Sequence, residues 1–178
     1  INYGAEEEAE ALIEKMIIDK DPIIRYGAMY VIGFAYSGTG NSNAFKTLIK
    51  VSVSDVNDDV RRAALINVGF LYYKNPTILI EKLKVMHLLS ESYNQHVRYG
   101  TAVGLGIACC GTGSVEAYQI IEKLISDSSP LVRQAAFIAG GMILCQSTEK
   151  SNSNLNGFKE HVNKVNSNKD EHNLIKFG

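Results

Sequence analysis

A chain of 178 residues with 46% hydrophobic and 21% charged side chains is long enough for one domain and has the make-up of an ordinary globular protein, which excludes disorder and collagen. Its 18 basic and 19 acidic residues leave a net charge of -1, so no general field draws in nucleic acid or an anionic membrane, and no local basic patch stands out. Three cysteines, Cys109, Cys110 and Cys145, form neither a disulfide framework nor a CxxC pair, and no glycosylation sequon is present, which fits a reducing, intracellular setting. The longest uncharged run, 26–45, contains the polar stretch SGTGNSN, so its apolar part falls short of the ~20 residues of a membrane helix. The chain opens on Ile1 with no signal-peptide pattern, which reads as a stretch excised from a longer array.

In chain order, Gly4 followed by Ala9, Leu12, Ile13, Met16 and Ile17 predicts a helix near 6–18, the second half of an earlier repeat. Glu6, Glu7, Glu8 and Glu10 form its solvated, dipole-favoured first turn rather than a metal site. Asp21-Pro22 opens a helix near 22–36, and the SGTG turn, Ser37 to Gly40, ends it with residues able to adopt positive φ. Helices near 42–53 and 58–74 follow, and Asn75-Pro76 opens one near 77–90. A helix near 95–109 ends in the CGTG turn, Cys110 to Gly113, 73 residues after the first such turn. A helix near 114–126 precedes Ser129-Pro130, which opens one near 130–146. The Ser/Asn-rich stretch from Gln146 to Gly157 reads as a flexible surface loop, with a last helix near 158–166. Leu174 to Gly178 copies Ile23 to Gly27 with Lys for Arg.

Four of these segments, DPIIRYGAMYVIG, DDVRRAALINVG, QHVRYGTAVGLG and PLVRQAAFIAGG, align without gaps. Their arginines are Arg25, Arg61, Arg98 and Arg133, their second glycines Gly33, Gly69, Gly106 and Gly141, and both series step by 36, 37 and 35 residues. Four of the five arginines of the chain occupy this one register. Since Val60, Ala64, Val68 and Leu71 step at helical spacing, as do Ala117, Ile121 and Leu124, each repeat is a helix pair. The fold class is therefore all-α, a single α-solenoid over 1–178 with repeats 21–57, 58–93, 94–128 and 129–169 and partial repeats 1–20 and 170–178.

Glycines inside helices, here Gly27, Gly33, Gly69, Gly100, Gly104, Gly106, Gly140 and Gly141, each cost roughly 1 kcal/mol against Ala. Close approach of neighbouring first helices offsets that cost. The repeated arginine has two readings. A guanidinium row lining a groove would hold a polyanion; an internal ladder would pair it with acids at the helix starts, Asp19, Asp21, Asp55, Asp58, Asp59 and Asp127. The fixed register beside those acids favours the ladder.

Catalytic patterns fail. GLGIACCG at 104–111 is not GxGxxG and sits in a helix, and neither GxxxxGK[ST] nor GxSxG occurs. His87, His96, His161 and His172 show no HExxH and no zinc spacing with the cysteines, which end apolar helical runs as small hydrophobes do. No catalytic, cofactor-binding or metal residue is assigned.

The periodic R-x-G/A, the second glycine and the GTG turn, together with KDPIIRYGAMY, VSVSDVNDDVRRAA, LLSESYNQHVRYG and GIACCGTG, resemble the proteasome/cyclosome repeat family. The likeness runs from Tyr3 to Gly178 and departs mainly at 151–156. The resemblance implies two concentric helical layers of which this chain is an arc of a toroidal ring. It implies a non-enzymatic scaffold of the proteasome regulatory particle, in cytoplasm and nucleus, organising the ATPase ring, the lid and ubiquitin receptors. Two further classes are a HEAT-like adaptor outside the proteasome, against which the interior glycines and GTG turns speak, and a solenoid lyase acting on a protein-bound chromophore. A solenoid without polar caps is expected to self-associate through its ends, by way of the Ala9, Leu12, Ile13, Met16 and Ile17 stripe and Phe177.

Overall fold

The helix starts are set by side chains that accept the first unpaired amides. Asp21 accepts from the Ile23 amide at 2.8 Å, Asn41 from Asn43 and Ala44, Asn57 from Asp59 and Val60, and Asn94 from His96. A computed structural model describes residues 6–148, 152–169 and 171–176, and among these there is no strand. The helices are α1 (Glu6–Ile17), α2 (Pro22–Ala35), α3 (Ser42–Ser54), α4 (Asp58–Tyr72), α5 (Pro76–Ile80), α6 (Leu83–Ser90), α7 (Gln95–Ala108), α8 (Val115–Ile125), α9 (Pro130–Leu144), α10 (Asn154–Ser167) and α11 (Asn173–Lys176). Gly4, Phe177 and Gly178 lie outside the described residues.

Helices α2, α4, α7 and α9 pack side by side in one row, and α11 begins a further member against α9. The second helices form the other layer, with α1 on α2, α3 on α4, α6 on α7 and α8 on α9. The core lies between the layers, filled by Met29, Leu48, Leu65, Leu71, Met86, Leu105, Ile121 and Ile143. This arrangement is an all-α solenoid.

Three expectations change. The helix near 77–90 is two helices, since Lys82 donates its amide to the Leu79 carbonyl at 2.8 Å in a tight turn that ends α5, where Thr77 and Ile78 are poor helix formers. The 146–157 stretch is not a loose loop throughout. Asn154 to Gly157 belong to α10, and Asn152, 9% exposed, donates its side-chain amide to the Gly113 carbonyl at 2.9 Å while its Oδ1 accepts from the Asn154 amide. The α1 stripe is largely covered rather than presented, because Ala9 and Ile13 are buried in the core beneath it and Leu12 remains 42% exposed.

All three prolines start helices, but only Asp21 of their three preceding residues caps with its side chain. Asn75 donates instead to the Gly38 carbonyl at 3.3 Å, and Ser129 Oγ to Gln95 Oε1 at 2.8 Å. The GTG turns hold four positive-φ glycines, Gly38, Gly40, Gly111 and Gly113, with φ between 63° and 71°. That backbone shape aims their amides sideways. Gly38 and Gly40 donate to the Phe70 and Leu71 carbonyls at the end of α4, and Gly111 and Gly113 to Met142 and Ile143 at the end of α9, at 2.8 to 3.0 Å. Each turn thus closes the open end of the next first helix.

Candidate functional site

Three of the four repeated arginines reach from a first helix to the interhelix loops on either side of it. Arg25 donates Nη1 to the Asp19 and Lys20 carbonyls behind it, and Nε and Nη2 to Asp55 ahead at 2.7 and 2.9 Å. Arg98 repeats this with the Ser92 and Tyr93 carbonyls and Asp127, again at 2.7 and 2.9 Å. Arg133 uses the Asp127 and Ser128 carbonyls and Glu171 at 2.8 Å. The Arg25–Asp55 and Arg98–Asp127 side chains are 8–14% exposed, so these two-pronged pairs are shielded from water on most sides.

Arg61 differs. It donates Nε to the Asp55 carbonyl and turns Nη1 toward Asp58 of its own helix at 3.9 Å, with no two-pronged carboxylate ahead. Asp21 and Asp59, also considered as rungs, cap α2 and pair with Arg62 at 2.7 Å respectively. Glu171 went unnoticed in the sequence because an insertion moves it 38 residues from its arginine.

The electrostatics follow the geometry. The Arg25 guanidinium holds the Asp55 carboxyl below its ordinary value against the opposing effect of burial. At Asp127 burial pushes upward, and the Arg98 bond with the Ser129 amide outweighs it, so the net direction is again down. Glu171 is lowered by Arg133 and the His172 amide. Pairing raises Arg25 and Arg98 in turn.

The second repeated position lies between first helices. A methyl on Gly69 would sit 2.7 Å from the Gly104 carbonyl oxygen and 2.8 Å from Ile107 Cβ, and one on Gly106 2.8 Å from Ala139 Cα. At Gly33 it would collide with the buried Asn67 side chain. Gly141 is the exception, with nothing within 4 Å, and it faces an apolar groove of about 640 Å³ shared by Ile138, Met142, Phe158 and Val162. Gly27 and Gly140 face Met16 of α1 and Phe158 of α10, so they tighten the contact between layers rather than the row of first helices.

Cys109 is buried, and burial first, then the Glu116 charge, pushes its thiol up to about 11, which leaves no thiolate for chemistry at neutral pH. Cys110 and Cys145 are exposed at the edge of the groove, and the Cys110 thiol is raised by burial and by its neighbour Cys145. Tyr72 and Tyr118, which the sequence reading passed over, are fully buried, and burial lifts both phenols to about 12. His87 lies 2.8 Å from Lys123 Nζ and 3.6 Å from Glu91 on the exposed face. Among the described residues no three His, Cys, Asp or Glu side chains gather as metal ligands, and no helix is long and apolar enough to cross a membrane.

Residues 100–134 match the proteasome/cyclosome repeat. Over 176 residues, 99% of its length, the chain is 47% identical to the 26S proteasome non-ATPase regulatory subunit 1 homolog B of Arabidopsis thaliana. It is 44% identical over its whole length to the 26S proteasome regulatory subunit rpn2 of Schizosaccharomyces pombe and 52% identical over 149 residues, 83% of the chain, to the non-ATPase regulatory subunit 1 of Dictyostelium discoideum. It spans 15–18% of the length of these three curated relatives. Among solved structures, the complex of CpcE and CpcF of phycocyanin lyase from Nostoc sp. PCC7120 superposes with a TM-score of 0.59 at 20% identity, over 76% of this chain and 82% of that one. An engineered protein superposes with a TM-score of 0.54 at 17% identity over 95% and 75% of the two chains. At such identities the likeness is one of fold alone.

Proposed function

We propose that this chain, in which residues 100–134 are a proteasome/cyclosome repeat, is a structural stretch of a non-enzymatic scaffold subunit of the proteasome regulatory particle. The observation that carries the reading is the 47% identity over 99% of the chain to a 26S proteasome non-ATPase regulatory subunit. In that role the stack is an arc of a ring. It helps to organise the ATPase ring, the lid and ubiquitin receptors for degradation of ubiquitinated proteins, in cytoplasm and nucleus. Arg25, Arg98 and Arg133 serve as rungs between repeats, and Gly33, Gly69 and Gly106 as close-approach positions, while Arg61 and Gly141 keep the repeat register without that contact, and no residue is reserved for catalysis. What supports the structural role of the arginines is that three of the four spend their donors on internal carboxylates and carbonyls and offer little to an external anion.

The test is recovery of the tagged parent protein from cell extract, scored by mass spectrometry for proteasome ATPases and lid subunits. Co-purification of both sets at near-equal amounts is the expected result. Recovery without either would overturn the reading in favour of an adaptor outside the proteasome.

A further inference from the structure

The ladder has one rung without an anion. In the α3–α4 and α8–α9 loops, the residue six before the repeated arginine is an acid, Asp55 or Asp127, and it receives the arginine of the preceding first helix in two prongs. In the α6–α7 loop that position is Ser92. Its backbone does what the acids' backbones do, since its carbonyl accepts from Arg98 Nη1 at 2.8 Å. Its side chain also copies theirs, because Ser92 Oγ accepts from the amide two residues on, Asn94, at 3.3 Å, as Asp55 and Asp127 accept from Asn57 and Ser129 at 2.8 Å. Ser92 Oγ therefore stands where a carboxylate oxygen stands in the other loops. Arg61, the arginine whose register aims it there, has folded back to a 3.9 Å contact with Asp58.

We propose that Ser92 is a phosphorylation site whose phosphoryl group takes the Arg61 guanidinium and completes the missing rung. Transfer is from ATP by a serine/threonine protein kinase: Ser92 Oγ attacks the terminal phosphorus, the Oγ–P bond forms, the bond from that phosphorus to ADP breaks, and the hydroxyl proton passes to the kinase. The product carries about -1.5 to -2 charges and three acceptor oxygens, enough for a two-pronged guanidinium contact. A longer anionic arm suits the ladder, since Arg133 is met by Glu171, one methylene longer than Asp. The loop is at the surface, where Ser92 is half-buried between exposed Glu91 and fully exposed Tyr93. The competing anion is Asp58. Asn94 Nδ2 holds Asp58 at 2.6 Å, so Arg61 can leave it without stranding its charge.

Free phosphate bound by Arg61 would supply the same chemistry, and thermal unfolding separates the two. With phosphoserine installed at position 92 during synthesis, the midpoint is expected to rise by about 2–4 °C over the unmodified chain, the shift a rung of ordinary strength gives at this size. Ser92→Asp, which restores the residue of the other loops, is expected to give a smaller rise. Both rises are expected to vanish in Arg61→Met. At constant ionic strength, 20 mM inorganic phosphate is expected to leave the unmodified chain unchanged. An equal rise with inorganic phosphate, lost in Arg61→Met, would move the site from Ser92 to a bound free anion and overturn the proposal. So would a phosphoserine that leaves the midpoint unchanged or lowered, or one that raises it equally without Arg61.

Discussion

Gly106 and Gly141 occupy the same register, eight residues after the repeated arginine, yet adding a methyl to each should move stability in opposite directions. On helical propensity alone both Gly→Ala changes gain up to about 1 kcal/mol. At Gly141 nothing lies within 4 Å, so that gain is expected nearly whole, reduced by its place in the last turn of α9. At Gly106 the methyl falls 2.8 Å from Ala139 Cα and 2.9 Å from its Cβ, against roughly 3.5–4.0 Å for carbon contacts. One neighbour is backbone, so relief requires α7 and α9 to part by about 0.7 Å along their seam. Forced volume of this kind costs about 1–3 kcal/mol, and a gap of that size forfeits a quarter to a half of each dispersion contact it opens. The net expectation for Gly106→Ala is a loss of about 0–2 kcal/mol, a midpoint lowered by up to about 6 °C, while Gly141→Ala raises it by up to about 3 °C. Gly106→Leu should exceed Gly106→Ala. Circular dichroism melts of the three variants decide the matter, and a Gly106→Ala midpoint raised as much as that of Gly141→Ala would refute the seam.

Asp55→Asn should cost about 1–2 kcal/mol at pH 7, and because the folded carboxyl lies below its ordinary value, that stabilisation exists above about pH 4 and is lost as pH falls through the folded value. Urea melts of the two proteins should therefore converge as the pH falls through the folded value of Asp55, and a constant gap would argue against charge as the cause. Arg98→Ala should lower stability by about 2 kcal/mol or more, leaving Asp127 unpaired, without altering retention on heparin; a stable variant with lost retention would restore the groove reading. Iodoacetamide at pH 8 should label Cys110 and Cys145 in the folded chain and reach Cys109 only on unfolding, so equal rates by mass spectrometry would contradict its burial. Sedimentation velocity should show association at high concentration that Ile138→Glu weakens, since Ile138 is 40% exposed in the apolar groove beside Gly141, whereas Ala9 and Ile13 of the α1 stripe are buried; an unchanged profile would count against it.

Much of the architecture was legible because it repeats. The arginine register, the three Pro-opened helices and the GTG stops placed α4 at 58–74 where it runs Asp58–Tyr72, and α7 at 95–109 where it runs Gln95–Ala108. What was not legible is tertiary. The turn at Lys82 has no glycine or proline and is preceded only by the weak helix formers Thr77 and Ile78, and the early start of α10 goes with Asn152 reaching Gly113, 39 residues away. Glycine spacing shows that a helix has bare positions without saying which neighbour they meet, so Gly27 and Gly140 were assigned to the wrong contact. The ladder was legible as a set of arginines and a set of acids, but not their pairing 29 to 38 residues apart.

The GTG turns recur every second first helix, and so do the two-pronged arginine pairs. The α2–α4 and α7–α9 contacts therefore each carry two glycine amide bonds and one carboxylate clasp, whereas α4–α7 carries neither and relies on backbones pressed together at Gly69, Gly100 and Gly104. Solvent acts differently on these two kinds of joint. Acid removes the arginine clasps, whereas the carboxylate it reaches at α4–α7 is exposed Asp58, which accepts from Asn94; cooling weakens apolar contact and spares the clasps. From α2 to α9 the stack is thus laid with two mortars in alternation, and acid and cold each weaken a different one first.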